Sequence, residues 1–312
     1  MADDNTKNLG WNAEEYAALA GFDSDWRDSW WRQDYLQLLS TRLGFSDART
    51  VLDVGCGAGH WGHRLSTLLG PEARITGVDH EAGFLDAARE RAKQRPSTFD
   101  YRVATAEALP FEDDHFDLVT CQTVLMHVPD ARAALREMVR VLRPGGLLLA
   151  CEPNNLVNAI TKRLAEPGMD DDALFRQARF DVTCLRGKAE LGQGDSTVGE
   201  ALPRLLLELG LEDQQIATNE STATMLPPYE PPSNQVAIDM LRVAISRGTS
   251  GIGDEATTRR LFEAGGGDPN AFEALWAEGL LHQRAALEAL DAGTYAFSGG
   301  FVMYVASGRK PR

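Results

Sequence analysis

Between Thr50 and about Asn155 short apolar runs alternate with segments whose apolar residues recur at helical spacing. TVLDV, RITGVD, FDYRVA, FDLVTCQTV and LLLACEP predict strands, and HWGHRLSTLLG, AGFLDAARERAKQR and ARAALREMVRVLRPG predict helices between them. Strand, helix, strand in repetition implies right-handed crossovers and a parallel sheet covered on both faces. In LRPGG, Pro144 and Gly145 stop a helix and start the fifth strand.

The flanks lack that rhythm. WRDSWWRQDYLQLLSTRLG predicts helix ending at Gly44, within a region rich in aromatic residues (Tyr16, Trp26, Trp30, Trp31). After Asn155 comes a polar, helical stretch to about Thr197, then a helix in TVGEALPRLLLELG and a strand in LEDQQIATN. LPPYEPPS is a proline-punctuated loop that carries Tyr229, and two or three amphipathic helices follow from Asn234 to about Ala292. FVMYVASG predicts a final buried strand.

With 312 residues, 43% of them hydrophobic, the chain can bury a large core. Its formal charge of -15 repels phosphate backbones and anionic membrane surfaces, so neither nucleic acid nor membrane is expected as a partner. No apolar run is long enough to span a bilayer, and the acidic start MADDNTKNLG is not a secretory signal, so the cytoplasm is the expected location. Cys56, Cys121, Cys151 and Cys184 lie far apart, as buried free thiols would.

The sharpest local feature is VLDVGCGAGHWG, Val51 to Gly62, where a strand runs into alternating glycines and then a helix. Gly55, Gly57 and Gly59 permit a tight turn and close approach of a ligand to the backbone. Gly57, Gly59 and Gly62 also satisfy the GxGxxG spacing of a dinucleotide site, so a nicotinamide-dependent oxidoreductase is the rival reading. Asp79, closing RITGVD, suits either, because a carboxylate there accepts the hydroxyls of an adenosine ribose.

The surroundings of the loop discriminate. VLDVGCGAG, ITGVD, AEALPFEDDHFDLV and LREMVRVLRPGG, in that order from Thr50 to about Pro153, resemble the class I S-adenosylmethionine-dependent methyltransferases, in the broad group that includes the ubiquinone and menaquinone biosynthesis enzymes. The resemblance implies a Rossmann-like α/β fold: a doubly wound, mostly parallel seven-stranded sheet, its last strand antiparallel, with helical lid insertions. It implies S-adenosyl-L-methionine as cofactor, with Asp53 and Gly55 beside its amino group and Gly57 and Gly59 in the loop. Asp79 would bind the ribose, His80 would lie beside the adenine, Ala106 and Glu107 would flank its other face, and Gln122 would meet the methionine portion. Many relatives carry aspartate where Thr105 stands, which leaves the adenine amino group to backbone or Glu107.

On this reading the chain is one methyltransferase domain, with its core at about 45–155, 197–220 and 298–312. Lid or substrate elements would occupy about 1–44, 156–196 and 221–297, the last interrupting the hairpin of the final two strands. Substrate specificity or a homodimer contact would reside there. The expected partner is a small organic molecule methylated on O, N or C, and no metal site is expected. Near the strand ends, His127, Glu152 and Asn154 are candidates to meet the acceptor, with His127 the candidate general base if one is used. Trp26, Trp30, Trp31 and Tyr16 are candidates to line an aromatic substrate pocket, with Tyr229 a further one; the competing reading of His127 is a packed residue of its motif, and that of the aromatic stripe is core. His60 would meet cofactor or solvent. A cofactor-binding protein without transferase activity is a further alternative.

Overall fold

A computed structural model describes residues 27, 30–93, 98–164, 166–220, 222–300 and 302–312. The chain begins with α1 (Gln33–Leu43), β1 (Thr50–Val54), α2 (His60–Ser66), β2 (Arg74–Asp79), α3 (Ala82–Ala92) and β3 (Thr98–Val103). Then come β4 (Phe116–Gln122), α4 (Ala131–Val141), β5 (Leu142–Pro153), α5 (Asn155–Leu164), α6 (Asp171–Glu190) and α7 (Val198–Glu208). The remainder comprises β6 (Glu212–Thr218), β7 (Thr222–Met225), α8 (Pro232–Arg247), α9 (Glu255–Ala264), α10 (Phe272–Asp291), β8 (Phe297–Gly300) and β9 (Met303–Arg309).

Seven strands form one sheet in the order β3-β2-β1-β4-β5-β9-β6. Neighbours among β1 to β5 are parallel, and β9 runs antiparallel between β5 and β6. This is the doubly wound sheet with an antiparallel last strand that the resemblance implies. Successive residues sort to opposite faces, as the pleat requires. Leu52, Val119 and Leu148 pack with Leu135 and Met138 of α4 and Leu202 and Leu206 of α7. Val51, Leu118 and Leu147 pack instead with Leu36, Leu39 and Leu43 of α1 and Trp61 and Leu65 of α2.

Gly44 ends α1 in the left-handed conformation, φ 64°, and its N–H donates to Ser40 O, the helix stop read from the sequence. β5 begins at Leu142, before the proline and glycine expected to start it. Leu142 pairs with Phe116 and Leu147 with Leu118, so the RPGG residues form an irregularity within the strand.

The chain divides into two compact units. The sheet unit takes in Phe22–Asn154, Thr197–Glu220 and Met303–Arg312, and the other takes in Asn155–Ser196 and Ser221–Val302. Within the second, mostly helical unit, α6 and α9 cross closely: a Cβ at Gly187 would lie 1.7 Å from Leu261 O, and one at Gly265 1.9 Å from Thr183 O. Phe180, Phe262, Phe272 and Trp276 form its core. The buried Arg163 guanidinium meets Asp181 at 2.9 and 3.0 Å and Glu166 at 2.8 Å. A small sheet of β7 and β8, which the sequence reading did not contain, pairs Met225 with Phe297 and Thr222 with Gly300. Tyr229 is buried beside Ile238 and Leu290, and its hydroxyl donates to Tyr295 O at 2.8 Å.

Candidate functional site

Because β1, β2 and β4 are parallel, their last residues share one sheet edge: Val54 stands beside Val78 and Cys121, one place from Asp79 and Gln122. Ligands of open parallel sheets bind at this carboxyl edge. The turn after β1 is held there by backbone conformation. Gly55, Gly57 and Gly59 have φ of 65°, 51° and 81°, the left-handed region that residues with a Cβ seldom enter. A side chain at Gly55 is excluded on a second count, since its Cβ would lie 2.5 Å from Val124 Cγ2.

Two carboxylates brace this turn. Asp79, at the end of β2 and 6% exposed, accepts the Gly57 N–H on Oδ2 at 2.9 Å and the Glu81 N–H on Oδ1 at 3.0 Å. Asp53, 2% exposed, accepts the Gly62 N–H on Oδ2 at 3.0 Å. Burial, reinforced by the nearby Asp79, pushes the Asp53 carboxyl up to about 8 against the opposing bond from Gly62. A Cβ at Gly62 would lie 3.1 Å from that carboxylate, so glycine there serves the approach of Asp53 to the first turn of α2.

Asp53 Oδ1 and Gln122 Nε2 are buried at this edge without a hydrogen-bond partner among the described residues. Buried polar atoms are normally paired, so an acceptor facing Gln122 and a donor facing Asp53 would complete the site. An amino acid portion carries both, which fits the methionine end of adenosylmethionine.

The residues expected beside the adenine are less concentrated. His80 is exposed, with Nδ1 3.3 Å from Asp79 Oδ1; that contact raises its pKa, and Glu107 adds to the rise. Ala106 is buried in the core of the sheet unit, Glu107 is half-buried and Thr105 is exposed. This segment is tied to the end of β2 through the Ala104 N–H, which donates to Asp79 O at 3.0 Å.

Of the acceptor-side candidates, His127 is half-buried, and its backbone N–H donates to Val124 O at 2.8 Å. Asn154 is buried and donates to the Tyr304 hydroxyl at 3.2 Å. Glu152 is completely buried; its Oε1 accepts the N–H groups of Val124 and Leu125, each at 2.8 Å. His60 does not stand open to solvent. It is buried with Nε2 2.9 Å from Arg91 Nη2, and since a guanidinium only donates, the ring nitrogen accepts. Trp31 is core, stacked on Tyr35 and tilted on Trp61. Trp26 and Tyr16 lie outside the described residues.

Sequence reasoning passed over Tyr101. Its ring fills the space above Gly77, where a Cβ would lie 2.7 Å away, and its hydroxyl would be 3.0 Å from a Cβ at Gly59. The glycine turn thus rests on an aromatic side chain from β3. The signal was a glycine inside the strand RITGVD, a mark of close approach by a neighbour.

Residues 52–150 match a protein family described as a methyltransferase domain. The chain is 38% identical to demethylmenaquinone methyltransferase of Listeria welshimeri over 122 residues, 39% of this chain and 50% of that protein. It is 35% identical to the Staphylococcus aureus enzyme of that name over 136 residues, 43% of this chain and 54% of that protein. The chain thus spans about half the length of the curated relatives it matches. The solved structure of Haemonchus contortus phosphoethanolamine N-methyltransferase 2 in complex with S-adenosyl-L-methionine shares the fold, with TM-score 0.52 and 16% identity over 99% of this chain and 60% of that one. The residues matched by the methyltransferase-domain family, 52–150, contain the glycine turn together with Asp53, Asp79 and Gln122.

Proposed function

We propose that this chain transfers a methyl group from S-adenosylmethionine to an oxygen, nitrogen or carbon atom of a small organic molecule. The observation that carries this reading is the double bracing of the glycine turn: Asp79 holds Gly57 and Asp53 holds Gly62. The resemblance implies that these two carboxylates face the ribose and the methionine portion. In this assignment Asp79 accepts from the ribose, Asp53 and Gln122 meet the amino acid end, and Ala106, Glu107 and His80 surround the adenine. The cofactor supplies a methyl already activated on sulfonium, so the protein has to orient the acceptor and exclude water. His127 serves as base only for an acceptor that must lose a proton.

The segments 156–196 and 221–297 are proposed to select the acceptor. We further propose a cytoplasmic protein that acts without nucleic acid or membrane, consistent with its charge of -15. Among the described residues no helix is long and apolar enough to cross a membrane. A homodimer contact is proposed for the insertion at 221–297.

Calorimetry with adenosylhomocysteine, followed by a panel of small acceptors read by product mass, tests the proposal. Binding and an acceptor gaining one methyl are expected. Absence of binding, or binding of a nicotinamide dinucleotide in its place, would overturn it. Binding with no turnover on any acceptor would favour the non-catalytic alternative.

A further inference from the structure

We infer that Glu152 is a positioning residue for the cofactor site: its carboxylate fixes the turn after β4, and Val124 of that turn in its turn fixes the glycine turn after β1. The inference rests on the adenosylmethionine reading above.

The chain leaves β4 at Gln122 and bends at Thr123, whose φ of 54° is uncommon for a β-branched residue. Such a conformation persists only where its surroundings over-determine it. Here the Thr123 N–H donates to Cys151 O at 2.8 Å, and the next two N–H groups, of Val124 and Leu125, converge on Glu152 Oε1. N–H groups that point inward in succession form a concavity suited to an anion, and the protein fills it with its own carboxylate.

The cost of placing an acid there is evident. Glu152 is completely buried, and Oε2 has no hydrogen-bond partner among the described residues. Burial pushes its pKa up to about 7, even against the backbone donors that favour the charged form. An apolar residue would relieve that cost but leave the half-buried Val124 N–H and the buried Leu125 N–H without this acceptor.

The turn so held presses on the cofactor loop. A Cβ at Gly55 would lie 2.5 and 2.7 Å from the two Val124 methyls, which therefore occupy the volume beside the first glycine of the loop. From Glu152 on β5 through Val124 to Gly55, the contacts run without a gap.

The test is calorimetric titration of adenosylhomocysteine into wild type, Glu152→Gln, Glu152→Ala and Val124→Ala, with thermal unfolding and amide hydrogen exchange on each. Glu152→Ala is expected to weaken binding by about tenfold, the scale of one lost hydrogen bond to a charged group, and to speed exchange at Val124 and Leu125. Glu152→Gln, whose amide oxygen still accepts both N–H groups, should restore affinity to within about threefold of wild type. Val124→Ala should weaken binding while leaving exchange at its own amide slow. A folded Glu152→Ala with wild-type affinity overturns the inference; if that variant does not fold, wild-type affinity in Val124→Ala overturns it. Failure of the wild-type chain to bind removes the cofactor reading itself.

Discussion

Asp79 Oδ2 accepts the N–H of Gly57 at 2.9 Å, so the acid that closes β2 is bonded to the middle glycine of the turn that follows β1. Its other oxygen holds the Glu81 N–H. The residue proposed to take the ribose is thus fixed before any ligand arrives, which lowers the ordering cost of binding. Asp79→Ala should reduce adenosylhomocysteine affinity by about 1.5–3 kcal/mol, through loss of a charge-assisted acceptor and of the restraint on Gly57. Calorimetry showing unchanged affinity would count against the assignment.

Gly55→Ala should be destabilising for two separable reasons. The left-handed backbone costs about 1–2 kcal/mol for a residue with a Cβ, and the clash with Val124 adds overpacking of about 1–3 kcal/mol. Adding Val124→Ala to Gly55→Ala should recover only the second part. Urea unfolding of the four members of this cycle measures the coupling, and strict additivity would show that Val124 does not crowd Gly55.

Stability should depend on pH through Asp53. Its folded-state carboxyl is pushed up to about 8 by burial, whereas an unfolded aspartate releases its proton near pH ~4. The folded protein therefore binds the extra proton between these values, and the stability this contributes is present in full at low pH and lost as pH rises toward about 8. Glu152, pushed up to about 7, acts in the same direction. Asp53→Asn should flatten the curve, with a difference in slope of at most ~1.4 kcal/mol per pH unit. Parallel curves for wild type and Asp53→Asn from about pH 5 to 7.5 would refute this account.

In the helical unit, Arg163→Ala should cost about 3–5 kcal/mol, because it leaves the buried carboxylates of Asp181 and Glu166 without their cation. Replacing all three by apolar residues of similar volume should cost far less, since no charge is then stranded. Unfolding midpoints of the single and triple variants distinguish this from a role for Arg163 in packing alone.

The glycine turn and the alternation of strand and helix from β1 to β5 were legible because each rests on local chemistry. Gly44 could be read as a helix stop because αL caps favour glycine, and β1, β4 and β5 could be read because buried parallel strands carry apolar runs. What escaped depends on partners distant in sequence. Nothing in CEPNN reveals that Glu152 serves the N–H groups of Val124 and Leu125, and nothing near Arg163 identifies Asp181 as its partner. His60 looked open to solvent from its place at a helix start, but Arg91 of α3 covers it. The short strands β7 and β8 contain TATM and FSGG, which carry no alternating pattern, and their pairing bridges the whole helical insertion.

The pairing of β6 has a consequence for how the molecule is made. Among the described residues β6 borders only β9, which also covers the free side of β5. While the chain is synthesised, Glu212–Thr218 therefore leaves the ribosome long before Met303–Arg309, and two strand edges wait unpaired until the nascent chain has delivered everything between. Contacts so remote along the chain form slowly, and bare edges invite association with other chains. The acidic and amide residues of β6, Glu212, Asp213, Gln214 and Gln215, keep its exposed edge hydrophilic through that interval.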